Sequence, residues 1–281
     1  MIGAVIARLL PVVAVLAVSC GAPGSGPALA VGASADPQNL LLANIYAAGL
    51  RYYGTAARIE VSDDPLDELD GGKVSVTTGF TGRLLERFDP DSEARSAPQV
   101  YRALAGALPE GVAAADYAVA AEDKAALAVT GRTADRWGSR DLSALVRDCP
   151  RGEVGAPTGS DTPDSVGDCR LGTAREFGTR PMLFDALRAG SIAAAWTTTA
   201  DTAVSSDVIV LVDRKPALLR ADNVVALFRR NELDEMQLRA VNEIAGVLDT
   251  AALVQMLARV DDGADPRSVA EQWLAENPLG R

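Results

Sequence analysis

The sequence predicts an α/β protein with a mainly parallel sheet, and three observations support this. Short apolar segments typical of buried strands alternate with segments that have helical spacing. The C-terminal part is strongly helical. The chain has 281 residues, 48% of them hydrophobic, which is enough for one large or two medium-sized cores.

The first predicted strand covers residues 28–33. Asp36-Pro37 then starts a helix, because proline fits the first helical turn. Apolar side chains at helical spacing give this helix one buried face, formed by Leu41, Leu42, Ile45, Tyr46 and Leu50. The next predicted elements are a strand at 74–76 and helices at 83–88 and 98–108.

The second half continues the alternation. Predicted strands lie at 127–129, 192–196 and 208–212, and predicted helices begin at 133 or cover 142–146, 181–189, 234–248, 250–260 and 266–276. The last helix has Asp265 as its N-cap and Pro266 in its first turn. The Gly- and Asp-rich stretch 151–168 is predicted to be the only long insert without regular structure.

The N-terminus predicts export. Arg8 is the only charged residue before Cys20, and the uncharged run 9–18 is too short to span a bilayer. Residues 16–20 resemble a bacterial lipobox, with Ala17 where leucine is usual. We therefore expect 1–20 to be a lipoprotein signal peptide, Cys20 to be lipidated and 21–28 to be a flexible tether. The protein would be extracytoplasmic and lipid-anchored to the bacterial cell membrane. The alternative is an ordinary signal peptide that is cut elsewhere.

The two remaining cysteines, Cys149 and Cys169, predict a disulfide, because an even pair in an exported protein is usually bonded. The loop between them has little apolar content with which to order itself, so a cross-link is physically useful there. Two free thiols are the alternative.

Composition excludes several functions. The chain contains no histidine, which removes Ser-His-Asp and Cys-His catalysis and the common zinc sites. The net charge of −11 argues against a nucleic-acid partner, which requires a basic surface. Gly71-Gly72-Lys73 lacks the spacing of a phosphate loop. We expect no cofactor, no metal and no enzymatic activity. A carboxylate-based enzyme would have to use Asp116, Glu122, Asp123 and Asp201.

Several segments, in order along the whole mature chain, resemble one family. They are 34–38 with 41–46, 72–82, 116–124, 186–198, 207–213 and 223–225. The stretch that begins Ala186-Leu187 is similar to an Ala-Leu-x-x-Gly motif that ends in paired threonines. Together the segments resemble the substrate-binding proteins of ABC importers for osmoprotectants, the glycine betaine, choline and proline betaine family.

This resemblance implies a two-lobe type II periplasmic-binding-protein fold with a ligand cleft between the lobes. Lobe one would be 29–117 plus 212–281, and lobe two would be 118–211. Segment 116–124 would cross between the lobes, and 207–213 would return. The implied role is to capture a small osmoprotectant-type solute for a membrane permease and its ATPase subunits, with the receptor acting as a monomer and its lobes closing on the ligand.

The family holds quaternary ammonium groups in a cage of aromatic side chains. Phe80 stands where the family has tyrosine, and Tyr117 is a second candidate, although either ring could simply be packed in a core. Asp36 and Asp222 stand where aromatics are expected, and Ala125 is a further replacement. The alternative ligand is therefore polar or hydroxylated, including hydroxylated aromatics. A second alternative is a surface interaction lipoprotein without a transport role.

Hydroxyl and amide side chains are frequent in the predicted cleft loops, and such groups both donate and accept hydrogen bonds. We expect Thr77 and Thr199 to lie in this lining. The predicted ligand-binding residues are Asp36, Gln38, Thr78, Phe80, Thr81, Asp116, Tyr117, Trp196, Thr197, Thr198 and Asn223.

Overall fold

The chain forms two five-stranded sheets and a two-stranded hairpin in a computed structural model that describes residues 27–150 and 152–280. The elements are, in chain order, β1 (Leu29–Ala33), α1 (Pro37–Tyr52), β2 (Ala57–Val61), α2 (Pro65–Asp70), β3 (Val76–Phe80), α3 (Thr81–Phe88), α4 (Ala97–Ala107), β4 (Val112–Ala114), β5 (Ala125–Thr130), α5 (Gly131–Trp137), α6 (Leu142–Asp148), β6 (Val154–Pro157), β7 (Ser165–Val166), β8 (Cys169–Arg170), β9 (Arg175–Phe177), α7 (Arg180–Arg188), β10 (Ala194–Thr198), β11 (Val208–Val210), β12 (Val224–Arg229), α8 (Glu235–Val247), α9 (Thr250–Asp261) and α10 (Pro266–Glu276). The predicted signal peptide, Cys20 and tether residues 21–26 lie outside the described residues.

The two large sheets share one topology. Sheet one has the order β2-β1-β3-β12-β4, and sheet two has the order β9-β6-β10-β5-β11. In each sheet the first three strands are parallel and the last two pairings are antiparallel. Four of the five strands in each sheet therefore run in the same direction, as expected for a mainly parallel sheet, and one is reversed. The reversed strand is β12 in sheet one and β5 in sheet two. Each of them follows the connection from the other sheet and is antiparallel to both of its neighbours.

The chain leaves sheet one after β4, builds sheet two with β5 to β11, and returns as β12. The predicted lobe boundaries fall in these two connections. The return strand is misplaced in the sequence-based assignment, because 208–210 is the edge strand β11 of sheet two. The strand that returns to sheet one is β12, which pairs with β3 and β4.

Helix α1 begins where the sequence predicts. The Asp36 carboxylate accepts hydrogen bonds from the amides of Gln38 and Asn39 at 3.0 and 3.1 Å, which satisfies donors that the first turn leaves free. The predicted apolar face is buried in the larger core, where α1 packs against α8, α9 and α10. This packing fixes the N-terminus of α1 at the carboxyl end of β1.

The stretch 151–168 is not a structureless insert. Its first part forms β6, which pairs in parallel with both β9 and β10. Gly155 allows close packing there, since a Cβ atom would lie 2.6 Å from the side chains of Leu183 and Ile192. Its second part begins the hairpin β7–β8. The predicted Cys149–Cys169 disulfide is present and joins the end of α6 to this hairpin.

Within the described part of the chain, no single helix is long and apolar enough to cross a bilayer. Helices α8 and α9 pass that test only as a pair bent by 96°. The apolar side chains of both helices contribute to the larger core, among them Val241, Ile244, Leu253 and Met256.

Candidate ligand-binding cleft

The carboxyl ends of strands from both sheets converge on one side chain, Asp123, in the first connection between the sheets. Gln38 in α1 and Arg83 in α3 reach it from sheet one, and Thr198 at the end of β10 reaches it from sheet two. Clefts at strand carboxyl ends between two α/β units are the usual place for a small ligand. This convergence locates the candidate site.

Asp123 ties the two sheets together through hydrogen bonds on both of its oxygens. Oδ2 accepts from Nη2 of Arg83 at 2.7 Å and from Nε2 of Gln38 at 3.0 Å, and Oδ1 accepts from the amide of Ala200 at 3.2 Å. Burial by itself would raise the pKa of Asp123. The Arg83 charge and the hydrogen bonds from Thr198, Arg83 and Gln38 outweigh it, so the net pKa is below the ordinary value. Asp123 is therefore ionised, and its carboxylate connects residues of both sheets.

Arg83 is the centre of the cluster. Its Nε lies 3.0 Å from Oδ2 of Asp222, and its Nη1 donates to Oε1 of Gln38 at 3.2 Å. Its Nη2 also donates to the backbone carbonyl of Asp123 at 2.9 Å. The carboxylates of Asp123 and Asp222 are buried, with 6% and 9% of their side-chain surface exposed, whereas the Arg83 side chain is 49% exposed. One half-exposed cation thus pairs with two buried anions.

Asp222 also caps α3. Its Oδ1 accepts from the amides of Gly82 and Arg83 at 2.6 and 3.0 Å. Gly82 permits this approach, because a Cβ atom there would lie 2.6 Å from the carbonyl oxygen of Ala221. Burial raises the pKa of Asp222 to about 6, although Arg83 and the two amides act in the opposite direction. The cap holds Arg83 beside the strand ends.

Phe80 provides the aromatic face of the cluster. The guanidinium carbon of Arg83 lies 4.4 Å from its ring centroid, a cation–π distance. The Phe80 residue is only 3% exposed and also packs in the larger core. The same ring therefore packs in the core and forms the aromatic face that Arg83 contacts.

A cavity of about 270 Å³ lies beside this cluster at the carboxyl ends of β1 and β3. Thr78 lines it, and its buried hydroxyl has no hydrogen-bond partner. Polar neighbours are Ser34, Asn39 and Asp63, and Phe80 is the only aromatic residue in the lining that the structure describes. A wider space of about 890 Å³ lies between the sheets, with Glu86, Arg95, Asp161 and Arg220 in its wall. Its described wall contains no aromatic residue.

Of the predicted site residues, Gln38, Phe80 and Thr198 belong to the cluster around Arg83, Thr78 lines the adjoining cavity, and Asp36 lies exposed at the start of α1.

Three predicted residues instead hold the framework. The hydroxyl of Thr81 accepts from the amide of Asn223 at 3.0 Å, and Nδ2 of Asn223 donates to the carbonyl of Ala118 at 3.0 Å. These bonds join α3, β12 and the first connection. Thr197 donates to Oδ2 of Asp201 at 2.7 Å, which fixes the turn after β10. All three are buried, and the hydroxyls of Thr81 and Thr197 and Nδ2 of Asn223 bond the protein itself, whereas Oδ1 of Asn223 has no hydrogen-bond partner.

Three other predicted ligand-binding residues lie away from the cluster. Asp116 is exposed in a groove beside α8 and the C-terminal turn, where its backbone amide donates to Oδ1 of Asn242 at 3.0 Å. Tyr117 packs against Tyr101, with ring centroids 4.9 Å apart and ring planes tilted by 41°. Trp196 is in β10, but strand side chains alternate between faces, and its ring fills the core of sheet two.

Sequence reasoning missed Arg83 and gave Asp123 no place among the ligand-binding residues. One signal was available. A positive charge in the first turn of a helix opposes the helix dipole, so Arg83 needed anionic partners from elsewhere in the chain. An acid in a connection between lobes is a natural partner, but the sequence suggests Asp123 only as an acid of a carboxylate-based enzyme.

Comparison with solved structures shows the same fold at low sequence identity. A glycine betaine/carnitine/choline ABC transporter structure has a TM-score of 0.72 and 15% identity, and the match covers 89% of this chain and 98% of that chain. Apo YehZ from Escherichia coli has a TM-score of 0.69 and 18% identity, covering 90% and 99%. Lactococcal OpuAC in complex with glycine betaine has a TM-score of 0.52 and 8% identity, covering 89% and 95%.

The comparison with curated proteins gave no match. A family model, described as the substrate-binding domain of ABC-type glycine betaine transport systems, matches residues 27–276. The match spans nearly the whole chain and includes both sheets. The resemblance inferred from the sequence and the two-lobe fold that it implies are thereby confirmed. The chain belongs to the OpuAC family of substrate-binding domains and has the solute-binding role of an ABC importer.

Proposed function

We propose that the chain is the extracytoplasmic receptor of an ABC importer and captures a small solute of the glycine betaine and choline class between its lobes. Lobe one would be 29–117 plus 212–281, and lobe two 118–211. One observation carries this proposal. Strand ends from both sheets meet at Asp123 beside a polar cavity, in a chain that belongs to a solute-binding family. The acids of this cluster are held by Arg83, which supports a receptor and not an enzyme.

A second candidate keeps the receptor role but changes the ligand to a polar or hydroxylated compound. The observation that favours it is that little aromatic surface is left for a ligand. Phe80 is the only aromatic in the described cavity lining, and Arg83 already covers its ring. The unpaired hydroxyl of Thr78 and the polar walls suit a solute that carries hydroxyl groups.

Calorimetric titration distinguishes the two candidates. We expect glycine betaine, choline and proline betaine to bind about thirtyfold more weakly than they would to a complete cage, because two lost aromatic faces cost about 1 kcal/mol each. A panel of polyols and hydroxylated aromatics should include a tighter ligand. Micromolar binding of glycine betaine that disappears in Phe80→Ala would reject the polar-ligand candidate. Absence of binding by any compound would favour a surface interaction lipoprotein.

We further propose that Cys20 carries the lipid anchor and that the receptor works as a monomer with a membrane permease and its ATPase subunits. The signal-like segment before Cys20 and the Gly/Pro-rich segment after it support the anchor. Cys20→Ala should move the protein from the detergent phase to the aqueous phase. If the variant partitions like the unchanged protein, the lipidation proposal is wrong.

A further inference from the structure

The environment of the Arg83 guanidinium has the composition of a binding site for an organic cation. An aromatic face lies at 4.4 Å, and two buried carboxylates lie at 2.7 and 3.0 Å. Such a combination stabilises a delocalised or alkylated cation through both charge and the ring quadrupole. The protein fills this place with its own side chain.

We propose that Arg83 is an internal occupant of the cation subsite and determines specificity by disfavouring solutes with a quaternary ammonium group. This inference rests on the proposed receptor function and favours its second candidate ligand, a polar or hydroxylated solute. A quaternary ammonium cannot donate hydrogen bonds, so it cannot replace the donors that Arg83 gives to Asp123, Asp222 and Gln38. To reach Phe80 it must first displace the guanidinium and break those bonds.

The geometry also provides a route for displacement. The Arg83 side chain is half exposed, whereas both of its anionic partners are buried. The guanidinium can therefore turn outward into solvent while the acids remain. If Arg83 is removed, two buried carboxylates and a bare Phe80 face are left without a cation. Burial of uncompensated charge is unfavourable. A cation from solution that binds there would therefore be stabilised by the two carboxylates that Arg83 no longer neutralises.

Arg83→Ala should bind choline at least tenfold more tightly than the wild type in calorimetric titrations. Methylguanidinium, which restores the missing group, should raise the Tm of Arg83→Ala and leave that of the wild type unchanged. If Arg83→Ala does not fold, the double variant Arg83→Ala with Asp222→Asn removes one uncompensated charge. It should still bind choline more tightly than the wild type through Asp123 and Phe80.

The matched control is Arg175→Ala. Arg175 also lies over a phenylalanine, at 5.1 Å from the ring centroid of Phe177, but its acidic neighbour Glu153 is exposed and 3.8 Å away. This variant should bind choline as the wild type does and should not respond to methylguanidinium.

The outcomes separate the inference from the function on which it rests. If the wild type binds a solute of the panel but the folded Arg83 variants gain no affinity for choline, the inference is wrong and the receptor function stands. If neither the wild type nor the variants bind any solute of the panel, the proposed function fails, and the inference fails with it.

Discussion

Asp123→Ala should lower the free energy of unfolding by about 3 kcal/mol and weaken solute binding at least tenfold. The substitution removes the acceptor shared by Arg83, Gln38 and Ala200. Breaking a buried ion pair typically costs about 3–5 kcal/mol. The lower end applies here, because Arg83 is half exposed and solvent screens its charge. Urea titration measures the first effect, and calorimetry measures the second.

Two variants make this prediction specific. Asp123→Asn keeps an oxygen for the amide of Ala200 but loses the charge, so its loss of stability should be smaller, about 1–2 kcal/mol. Asp185→Ala removes an exposed ion pair with Arg188 and should change stability by less than about 0.5 kcal/mol. Equal effects of the Asp123 and Asp185 substitutions would contradict the role of Asp123 as the link between the sheets.

The fold was predictable to the extent that its signals are local. The apolar face of α1, its Asp36 cap and the Asp265-Pro266 start of α10 can be read from neighbouring residues, and the structure has all three. The even number of cysteines after Cys20 also predicted the Cys149–Cys169 disulfide. Segments β2 and β4 were not predicted, because they are short and lie at the edges of sheet one, where few side chains are buried.

Strand β6 was missed for a different reason. Its glycine and its Gly- and Asp-rich surroundings resemble a loop, yet Gly155 is required by close side-chain neighbours that are distant in sequence. The direction of β5 and β12 was also not a local property. It follows from the path of the chain between the two sheets. The spacing of apolar residues along the sequence does not indicate that path.

The candidate site was less predictable than the fold, because its key contacts join residues far apart in the chain. Arg83 and Asp222 are 139 positions apart. Of the residues that the sequence proposed for the site, Gln38, Phe80 and Thr198 lie in the cluster around Arg83 and Asp123. The sequence could not show that Arg83 covers Phe80, nor that the Thr81 hydroxyl and Nδ2 of Asn223 bond the framework.

The central claim is that a solute binds between the two sheets, at the strand ends that meet at Asp123. Hydrogen exchange followed by mass spectrometry tests it most directly, with glycine betaine, choline or sorbitol, whichever binds most tightly, at about one hundred times its Kd. Binding at that excess adds about 2.7 kcal/mol, so amides that exchange through opening of the cleft should slow about a hundredfold. We predict simultaneous protection of 33–39 and 77–83 in lobe one and of 197–201 in lobe two. Protection confined to one lobe, or to the groove beside α8 and the C-terminal turn, would contradict the account.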